Sequence, residues 1–348
     1  MYKQLIRPLL FQLPPETIHH LIMAAMRVLH YIPGGRLLLR MFYTTRHPSL
    51  VREVFGIRFP NPVGLAAGFD KDAEVYEEMA SLGFGFVEVG TITPLAQPGN
   101  PKPRLFRLPM DHALINRMGF NNQGVASAVH RLHRRNRFYH RRHPVVLGGN
   151  LGKNTLTPNE KAPADYLRLF RSLYEYVNYF VINVSCPNVA NLSCLQNKEH
   201  LKKLLEGLID FRRGQNHYRP ILLKISPDLS DEQIDEMIEV LVENGLDGIV
   251  ATNTTTSRQG LLTPSDLVAE IGNGGLSGGP LTDRSLEMVR YIHKKTEGRF
   301  PIIGVGGIMT EDDAVAMLEA GASLIEVYTG FIYNGPGFAK RICKRLKE

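Results

Sequence analysis

The chain of 348 residues contains only three cysteines, no tryptophan and no long hydrophobic run. So few cysteines exclude a disulfide-bonded scaffold and favour a reducing compartment. No Cys-x-x-Cys pair is present, so zinc and iron–sulfur sites are not expected and we predict no metal. Cys194 lies in the loop after the fourth predicted strand, and we predict a structural role for it. No run approaches the 18 residues that a membrane-spanning helix needs, and no signal peptide is recognisable.

The composition is that of an ordinary folded protein, with 43% hydrophobic and 22% charged residues, which excludes a disordered chain. The net charge of +7 is unevenly placed. Residues 1–46 carry a net charge of +5, and residues 130–143 hold six arginines and no acid. The remainder of the chain is mildly acidic, so each basic segment suggests a binding partner of its own.

Residues 1–46 are predicted to form a short two-helix extension. Pro14, Pro15 and Glu16 favour a helix start, and the apolar residues from Ile18 onward recur at steps of three and four. The sequence Pro33-Gly34-Gly35 ends this helix, and residues 36–43 predict a second one. Apolar faces flanked by arginines are typical of helices in a membrane interface and also of a helical hairpin docked on a larger domain.

Residues 47–348 are predicted to form one α/β domain, in which short apolar runs alternate with helical patterns. The runs are 62–68, 84–90, 144–149, 179–185, 220–226, 247–253, 301–307 and 323–330, and helical stretches include 70–83, 230–245 and 310–321. Strands that are apolar on both faces belong to a buried parallel sheet. Eight such units over nearly 290 residues predict a (β/α)8 TIM barrel. An open doubly wound sheet is the alternative, although no GxGxxG follows the first strand.

The ends of these strands are unusually polar. In a TIM barrel the carboxyl ends of the strands carry the chemistry, and here they present asparagines, lysines and threonines. Such side chains suit a planar ligand with many hydrogen-bonding groups. The sequence GVGG at 304–307 favours a phosphate held by backbone N–H groups, and TIM barrels often bind phosphate after strands seven and eight.

These strand-end strings together resemble the dihydroorotate dehydrogenase family of FMN-dependent barrels. The matching strings are GLAAGFDKD (64–72), EVGTITPLAQPGNPKPRLFRL (88–108), INRMGFNN (115–122), NVSCPN (183–188), ATNTT (251–255), GGLSG (274–278), PIIGVGGI (301–308) and ASLIEVYTGFIYNGP (322–336). The extension resembles the class 2 branch, which is membrane-associated and reduces quinone. The resemblance implies oxidation of (S)-dihydroorotate to orotate in pyrimidine (UMP) biosynthesis, by a peripheral membrane protein on the cytoplasmic side of the cell membrane.

The resemblance also implies the residues of the site. FMN would be bound by Ala67, Gly68, Lys71, Thr91, Asn150, Asn183, Lys224 and Thr252, with its phosphate at Gly278, Gly307, Tyr328 and Thr329. Dihydroorotate would contact Lys71, Asn116, Arg117, Met118, Gly119, Phe120, Asn183, Asn188, Asn253 and Thr254. Cys186 would remove the C5 proton, Phe120 would pack on the substrate, and Lys224 would stabilise the negative charge that arrives with hydride. A quinone would meet His19, Arg107 and Tyr328.

The catalytic loop departs from the class 2 pattern, in which the base is a serine. Here Cys186 is followed by Pro187, Asn188 and Val189, which is the pattern of the soluble class 1 branch. Class 1 chemistry with fumarate or NAD as acceptor is therefore an alternative. An unperturbed thiol titrates near 8.5, far below an alcohol. We therefore expect flavin reduction to persist to lower pH than in a serine enzyme. Val189 cannot relay a proton as a threonine hydroxyl could.

The arginine-rich run at 130–143 suggests a second alternative. Arginines beside Phe138 and Tyr139 can contact nucleic acid through phosphates and stacked bases. A flavin barrel that reduces uridine in transfer RNA is the corresponding enzyme. A solvated basic face is the commoner role of such a run, so no nucleic-acid partner is expected. The +5 extension instead suggests an anionic membrane surface as partner.

Overall fold

The computed structural model describes residues 2–138, 145–189, 192, 195 and 197–348. Cys194 and residues 139–143 of the arginine-rich run lie outside the described residues. The central element is a closed barrel of eight parallel strands, which confirms the predicted TIM barrel. In barrel order the strands are β3 (Val63–Leu65), β4 (Phe86–Ile92), β7 (Val146–Leu151), β8 (Tyr179–Asn183), β9 (Ile221–Ile225), β10 (Gly248–Ala251), β12 (Ile302–Val305) and β13 (Leu324–Val327).

Each of these strands matches one of the eight apolar runs, although β4 and β7 extend two residues beyond theirs. Each is buried along its whole length apart from one half-buried position in β7. The amino-terminal end of the barrel is closed by a hairpin of β1 (Arg52–Val54) and β2 (Ile57–Phe59). Phe59 packs edge-on against Phe86, with ring centroids 5.2 Å apart. Phe59 and Phe86 thus fill the amino-terminal end of the barrel, and the opposite, carboxyl end remains for the site.

Helices surround the barrel. They are α4 (Tyr76–Ala80), α5 (Gly124–Phe138), α6 (Ala162–Leu173), α7 (Lys198–Arg213), α8 (Asp231–Glu243), α9 (Ser265–Ile271), α10 (Thr282–Lys295), α11 (Glu311–Glu319), α12 (Thr329–Asn334) and α13 (Phe338–Arg345). Capping boxes at Ser230 and Thr310 begin α8 and α11 where the sequence predicts. The stretch 70–83 is helical only at Tyr76–Ala80, because the Asp70 carboxylate accepts the N–H groups of Glu74 and Val75 and holds a turn there.

A small antiparallel sheet, not expected from the eightfold repeat, carries part of the site. It consists of β5 (Leu105–Leu108), β6 (Ala113–Asn116) and β11 (Gly275–Gly278) in the order β11-β6-β5. The register pairs Asn116 with Gly275 and Ala113 with Gly278. Two long barrel loops, after β4 and after β10, therefore join above the barrel.

The amino-terminal extension comprises α1 (Arg7–Phe11), α2 (Pro15–Tyr31) and α3 (Gly35–Tyr43), so both predicted helices are confirmed. Large exposed apolar side chains concentrate on it. They are Leu5, Ile6, Leu9, Leu13, Leu21, Val28, Tyr31, Ile32, Leu37, Leu38, Met41 and Phe42. Within the described part of the chain, no helix is long and apolar enough to cross a membrane.

The two basic segments meet over a shared set of acids, Glu74, Glu77 and Glu78. Arg27 and Arg36 of the extension pair with Glu74 and Glu77. Arg135 of α5 reaches Glu77 at 3.2 Å and Glu78 at 3.0 Å. Glu77 and Glu78 are buried, so removing their cations would leave uncompensated charge. Part of the excess positive charge of these two segments is thus neutralised by carboxylates of the same molecule.

Candidate active site

A cavity of about 170 Å³ opens at the carboxyl ends of the barrel strands. Its wall contains most residues that the sequence predicts for the site, although they come from widely separated loops. They are His19, Ala67, Gly68, Lys71, Thr91, Asn116, Met118, Gly119, Phe120, Asn183, Cys186, Asn188, Lys224, Thr252, Asn253, Thr254, Gly278, Gly307, Tyr328 and Thr329. The fold thus brings the predicted cofactor and substrate residues around one cavity.

Three predicted residues lie behind the cavity wall or away from it. Asn150 is fully buried; it donates to Glu88 Oε1 at 2.8 Å and accepts from Thr91 Oγ1 at 2.6 Å. Arg117 turns outward, donates to the carbonyls of Ile271 and Asn273 and lies over the ring of Phe106.

Arg107 also turns away, toward the extension. It donates to the Leu13 carbonyl at 2.7 Å and lies 4.4 Å from the ring centroid of Phe11. Its contacts therefore hold the segment between α1 and α2.

Amide side chains form two hydrogen-bonded groups at the cavity. Asn188 Nδ2 donates to Asn116 Oδ1 at 3.0 Å, and Asn253 Nδ2 donates to Ser185 Oγ at 3.0 Å and approaches Asn183 Oδ1 at 3.4 Å. Because each amide both donates and accepts, such a group can match the edge of a flat ring that carries carbonyl and N–H groups.

Lys71 is the cation on this side of the cavity, and its Nζ donates to Asn121 Oδ1 at 2.6 Å. Burial, with Arg104 nearby, lowers the pKa of Lys71 to about 8. The ammonium is therefore mostly charged at neutral pH and suited to a carboxylate.

Cys186 lies at the cavity wall with 9% of its surface exposed. Burial raises the pKa of its thiol to about 11, although the Asn188 N–H, Lys71 and Lys224 all favour the thiolate. The thiol therefore titrates above the unperturbed value, because the loss of water outweighs the two cations. At neutral pH the group is a thiol.

The floor of the cavity holds a buried lysine between two buried carboxyl groups, Glu88 and Glu326. Lys224 Nζ lies 3.8 Å from Glu88 Oε1. Both oxygens of Glu326 lack a hydrogen-bond partner among the described residues. Burial and the neighbouring Glu88 raise the pKa of Glu326 well above its ordinary value. Lys224 thus lies close to two buried carboxyl groups.

The sequence alone did not single out Glu88 and Glu326. A signal was present, because each acid interrupts an otherwise apolar strand run, FGFVEVG and SLIEVYTG. In a buried parallel strand such an acid is expensive without a partner. Glu16 also lines the cavity, although the sequence indicates it only as an acid in the first turn of a helix.

Glycines line the end of the cavity where a phosphate is expected. Gly278 and Gly307 have φ values of 101° and 72°, in the left-handed region that favours glycine. A Cβ on Gly307 would lie 2.2 Å from Thr282 Cα. Thr329 Oγ1 lies 2.9 Å from Ser277 Oγ. Backbone can therefore approach a ligand closely here, with hydroxyl groups beside it.

On the side of the extension, aromatic rings connect α2 to the barrel. His19 packs edge-on against Phe69 with centroids 5.1 Å apart, and Phe69 lies 6.0 Å from Tyr328. Burial, then the positive charge of Lys71, lowers the pKa of His19 to about 4. The imidazole is therefore neutral at physiological pH, and beside these rings the cavity wall suits a neutral ligand.

Comparison with known proteins gives a consistent result. The family model described as dihydroorotate dehydrogenase matches residues 49–348. "Dihydroorotate dehydrogenase (quinone)" of Christiangramia forsetii is 53% identical, over 100% of this chain and 99% of the relative. The protein of the same name from Rhodococcus opacus is 49% identical, over 99% and 94%. The crystal structure of DHODH from Eimeria tenella in complex with ferulenol superposes with a TM-score of 0.87 at 36% identity, covering 97% of this chain and 93% of that one.

Proposed function

The chain belongs to the dihydroorotate dehydrogenase family, in the class 2 branch whose members are named for a quinone acceptor, and we propose that it oxidises (S)-dihydroorotate to orotate and passes the electrons to a quinone. One observation carries the proposal. A buried cysteine, a buried lysine and a group of amides surround a single cavity that also contacts the amino-terminal extension.

The family is one of flavoenzymes, and we propose FMN as the cofactor. The glycine-lined end of the cavity fits its phosphate, which Gly278, Gly307, Tyr328 and Thr329 would bind. The remaining proposed cofactor residues would hold the ring; they are Ala67, Gly68, Lys71, Thr91, Asn150, Asn183, Lys224 and Thr252. When bound, the flavin supplies the hydride acceptor and the redox couple. Lys224 presents a positive charge at the floor, where it would stabilise negative charge.

Lys71 is proposed to bind the substrate carboxylate, and the amides to orient the ring. Asn116, Asn183, Asn188, Asn253 and Thr254 would supply these contacts, with Phe120 packed against the ring and Met118 and Gly119 in the same loop. Arg117 would contribute through its backbone, because its guanidinium binds carbonyls outside the cavity.

Cys186 is proposed to remove the proton from C5 of dihydroorotate while hydride leaves C6. A thiol with a raised pKa is a stronger base once deprotonated, and the nearby cations Lys71 and Lys224 favour the thiolate. Val189 is buried and carries no hydroxyl, so it does not relay the proton onward.

The extension, residues 1–46, is proposed to admit the quinone and to bind the cytoplasmic side of the membrane as a peripheral anchor. Residues 47–348 are proposed to form the catalytic domain. His19 and Tyr328 would meet the quinone, and Arg107 would act by holding the segment between α1 and α2. Because Arg27 and Arg36 already pair with acids of the barrel domain, the exposed apolar side chains would contribute most to binding an anionic membrane.

The acceptor test uses purified protein with its flavin spectrum recorded, dihydroorotate as donor, and quinone, fumarate or NAD as acceptor. We expect rapid turnover with quinone only. Rates with fumarate or NAD that rival quinone would support a class 1 acceptor, which the Cys186 loop resembles. A protein that dihydroorotate does not reduce would refute the proposed substrate.

Membrane binding is tested by co-sedimentation with vesicles that contain anionic lipid. The double variant Leu38→Gln, Phe42→Gln removes two exposed apolar side chains from α3 and should bind less. Leu156→Gln is the matched control, because Leu156 is exposed in the barrel domain, outside the extension. Equal loss in both variants, or no loss in either, would contradict the assignment of the membrane face.

A further inference from the structure

A buried ion pair joins the extension to the loop that precedes β5. Glu16, in the first turn of α2, faces Arg104, and both side chains are buried. Arg104 Nη2 donates to Glu16 Oε1 at 2.8 Å, and its Nε donates to the same oxygen at 3.2 Å. Such a two-point, charge-assisted contact fixes direction as well as distance.

The other arm of the guanidinium holds the loop itself. Arg104 Nη1 donates to the carbonyls of Pro98 and Asn100, at 2.6 and 2.9 Å. The Arg104 carbonyl accepts the backbone N–H of Arg117 at 2.9 Å. Arg104 therefore connects α2 on one side and the predicted substrate loop on the other.

Asn100 extends the connection to the substrate amides. Its Nδ2 donates to the carbonyls of Arg117 and Asn188, at 3.0 and 3.3 Å, and its backbone N–H donates to the Met118 carbonyl. Asn188 in turn donates to Asn116 at 3.0 Å. Two amides proposed to contact dihydroorotate are thus positioned by a loop whose shape depends on Arg104.

We propose that Glu16 and Arg104 form a positioning pair through which docking of the extension sets the affinity of the site for dihydroorotate and orotate. The inference rests on the proposed function. Its physical basis is that Arg104 must keep its carboxylate, since an unpaired buried charge is costly. A movement of α2 therefore displaces Arg104 and with it the Asn100 contacts. The helix that would admit the quinone then also determines how tightly the substrate binds.

The test measures orotate binding by calorimetry on the flavin-loaded protein. Glu16→Gln and Arg104→Met each break the ion pair. With the double variant they form a double-mutant cycle that measures the coupling between the two residues. Each single variant should weaken orotate binding roughly 5–150-fold, the usual range for coupling between sites. The double variant should be no weaker than the weaker single variant. The KM for dihydroorotate should rise, whereas the rate constant at saturating substrate changes little.

The matched control is Lys102→Met, which removes an exposed cation that lies 3.4 Å from the same Glu16 oxygen. This variant should bind orotate like the wild type. Where Glu16→Gln or Arg104→Met does not fold, Asn100→Ala replaces it and should also weaken orotate binding, because it removes the last link to Asn188.

Thermodynamic linkage supplies a reciprocal test. Saturating orotate should slow proteolysis within α2 and α3 in the wild type, and much less in Arg104→Lys, which keeps the charge but not the two-point contact. Orotate affinity within twofold of wild type in the pair variants, or an equal loss in Lys102→Met, would overturn the inference alone. Absence of orotate binding by the wild type would overturn the proposed function with it.

Discussion

Replacing Cys186 by alanine tests both the base and the effect of its burial. The structure raises the pKa of this thiol to about 11, well above that of an unperturbed thiol. At pH 7 roughly one thiol in ten thousand is then ionised, compared with about three in a hundred for an unperturbed thiol. The rate constant of flavin reduction should therefore rise about tenfold per pH unit from neutrality and keep rising beyond pH 9.

The assay is anaerobic stopped-flow reduction at saturating dihydroorotate, followed by the loss of flavin absorbance from pH 6 to 10. Cys186→Ala should be slower by roughly 100- to 10,000-fold, the usual contribution of a general base, and should lose the pH dependence. Cys186→Ser should fall between the two at every pH and keep the tenfold rise per pH unit, because an alcohol ionises less readily than a thiol but loses a single proton in the same way.

Cys343 offers a matched control, because it is also a buried free cysteine but lies on α13 and is absent from the cavity wall. Cys343→Ala should leave the profile unchanged. A wild-type plateau near pH 9 would refute the argument from burial. Identical profiles for wild type and Cys186→Ser would refute the role of the thiol.

Three further predictions concern the other parts of the site. Orotate affinity should fall as the pH rises through about 8, where Lys71 loses its charge, and calorimetry on Lys71→Met should show weak, pH-independent binding. Gly307→Ala should release flavin, measured as the ratio of flavin to protein absorbance, because left-handed φ costs a non-glycine residue roughly 1–3 kcal/mol and the added Cβ meets Thr282. Glu326→Gln should raise the melting temperature at neutral pH, and this gain should shrink as the pH falls toward 4.5. A buried acid whose pKa is raised in the folded state destabilises the protein at pH values above its unfolded pKa, whereas glutamine does not titrate. An equal gain at all pH values would contradict a raised pKa of Glu326.

Much of the fold could be predicted because its signals are local. Apolar runs of six to eight residues mark the barrel strands, and capping residues such as Ser230 and Thr310 mark helix starts. The small sheet β11-β6-β5 was missed because its strands are short and because β11 pairs with β6 across more than 150 residues. The late start of the helix within 70–83 was missed because Asp70 forms a turn with Glu74 and Val75 in place of a helical turn.

The candidate site was predictable to the level of its residues but not of their environment. Short motifs such as NVSCPN and GVGG carry the identity of the side chains, since each motif occupies one loop. Their electrostatics depend on other loops. The thiol of Cys186 is governed by burial and by Lys71 and Lys224, which lie more than 35 residues away in either direction. For the same reason no local pattern reveals that Glu88 shares the floor with Glu326.

The sequence by itself determined the barrel, the family and the set of reactive side chains, because strand period, caps and loop motifs are encoded within a few residues. Only the tertiary structure decided which side chains face the cavity, what charge they carry and what the extension contacts. Desolvation and ion pairing depend on groups that the chain separates widely, as in Arg36 with Glu77 and Glu16 with Arg104. The basic segments, which in sequence suggest outside partners, in the fold bind partly to acids of the barrel domain.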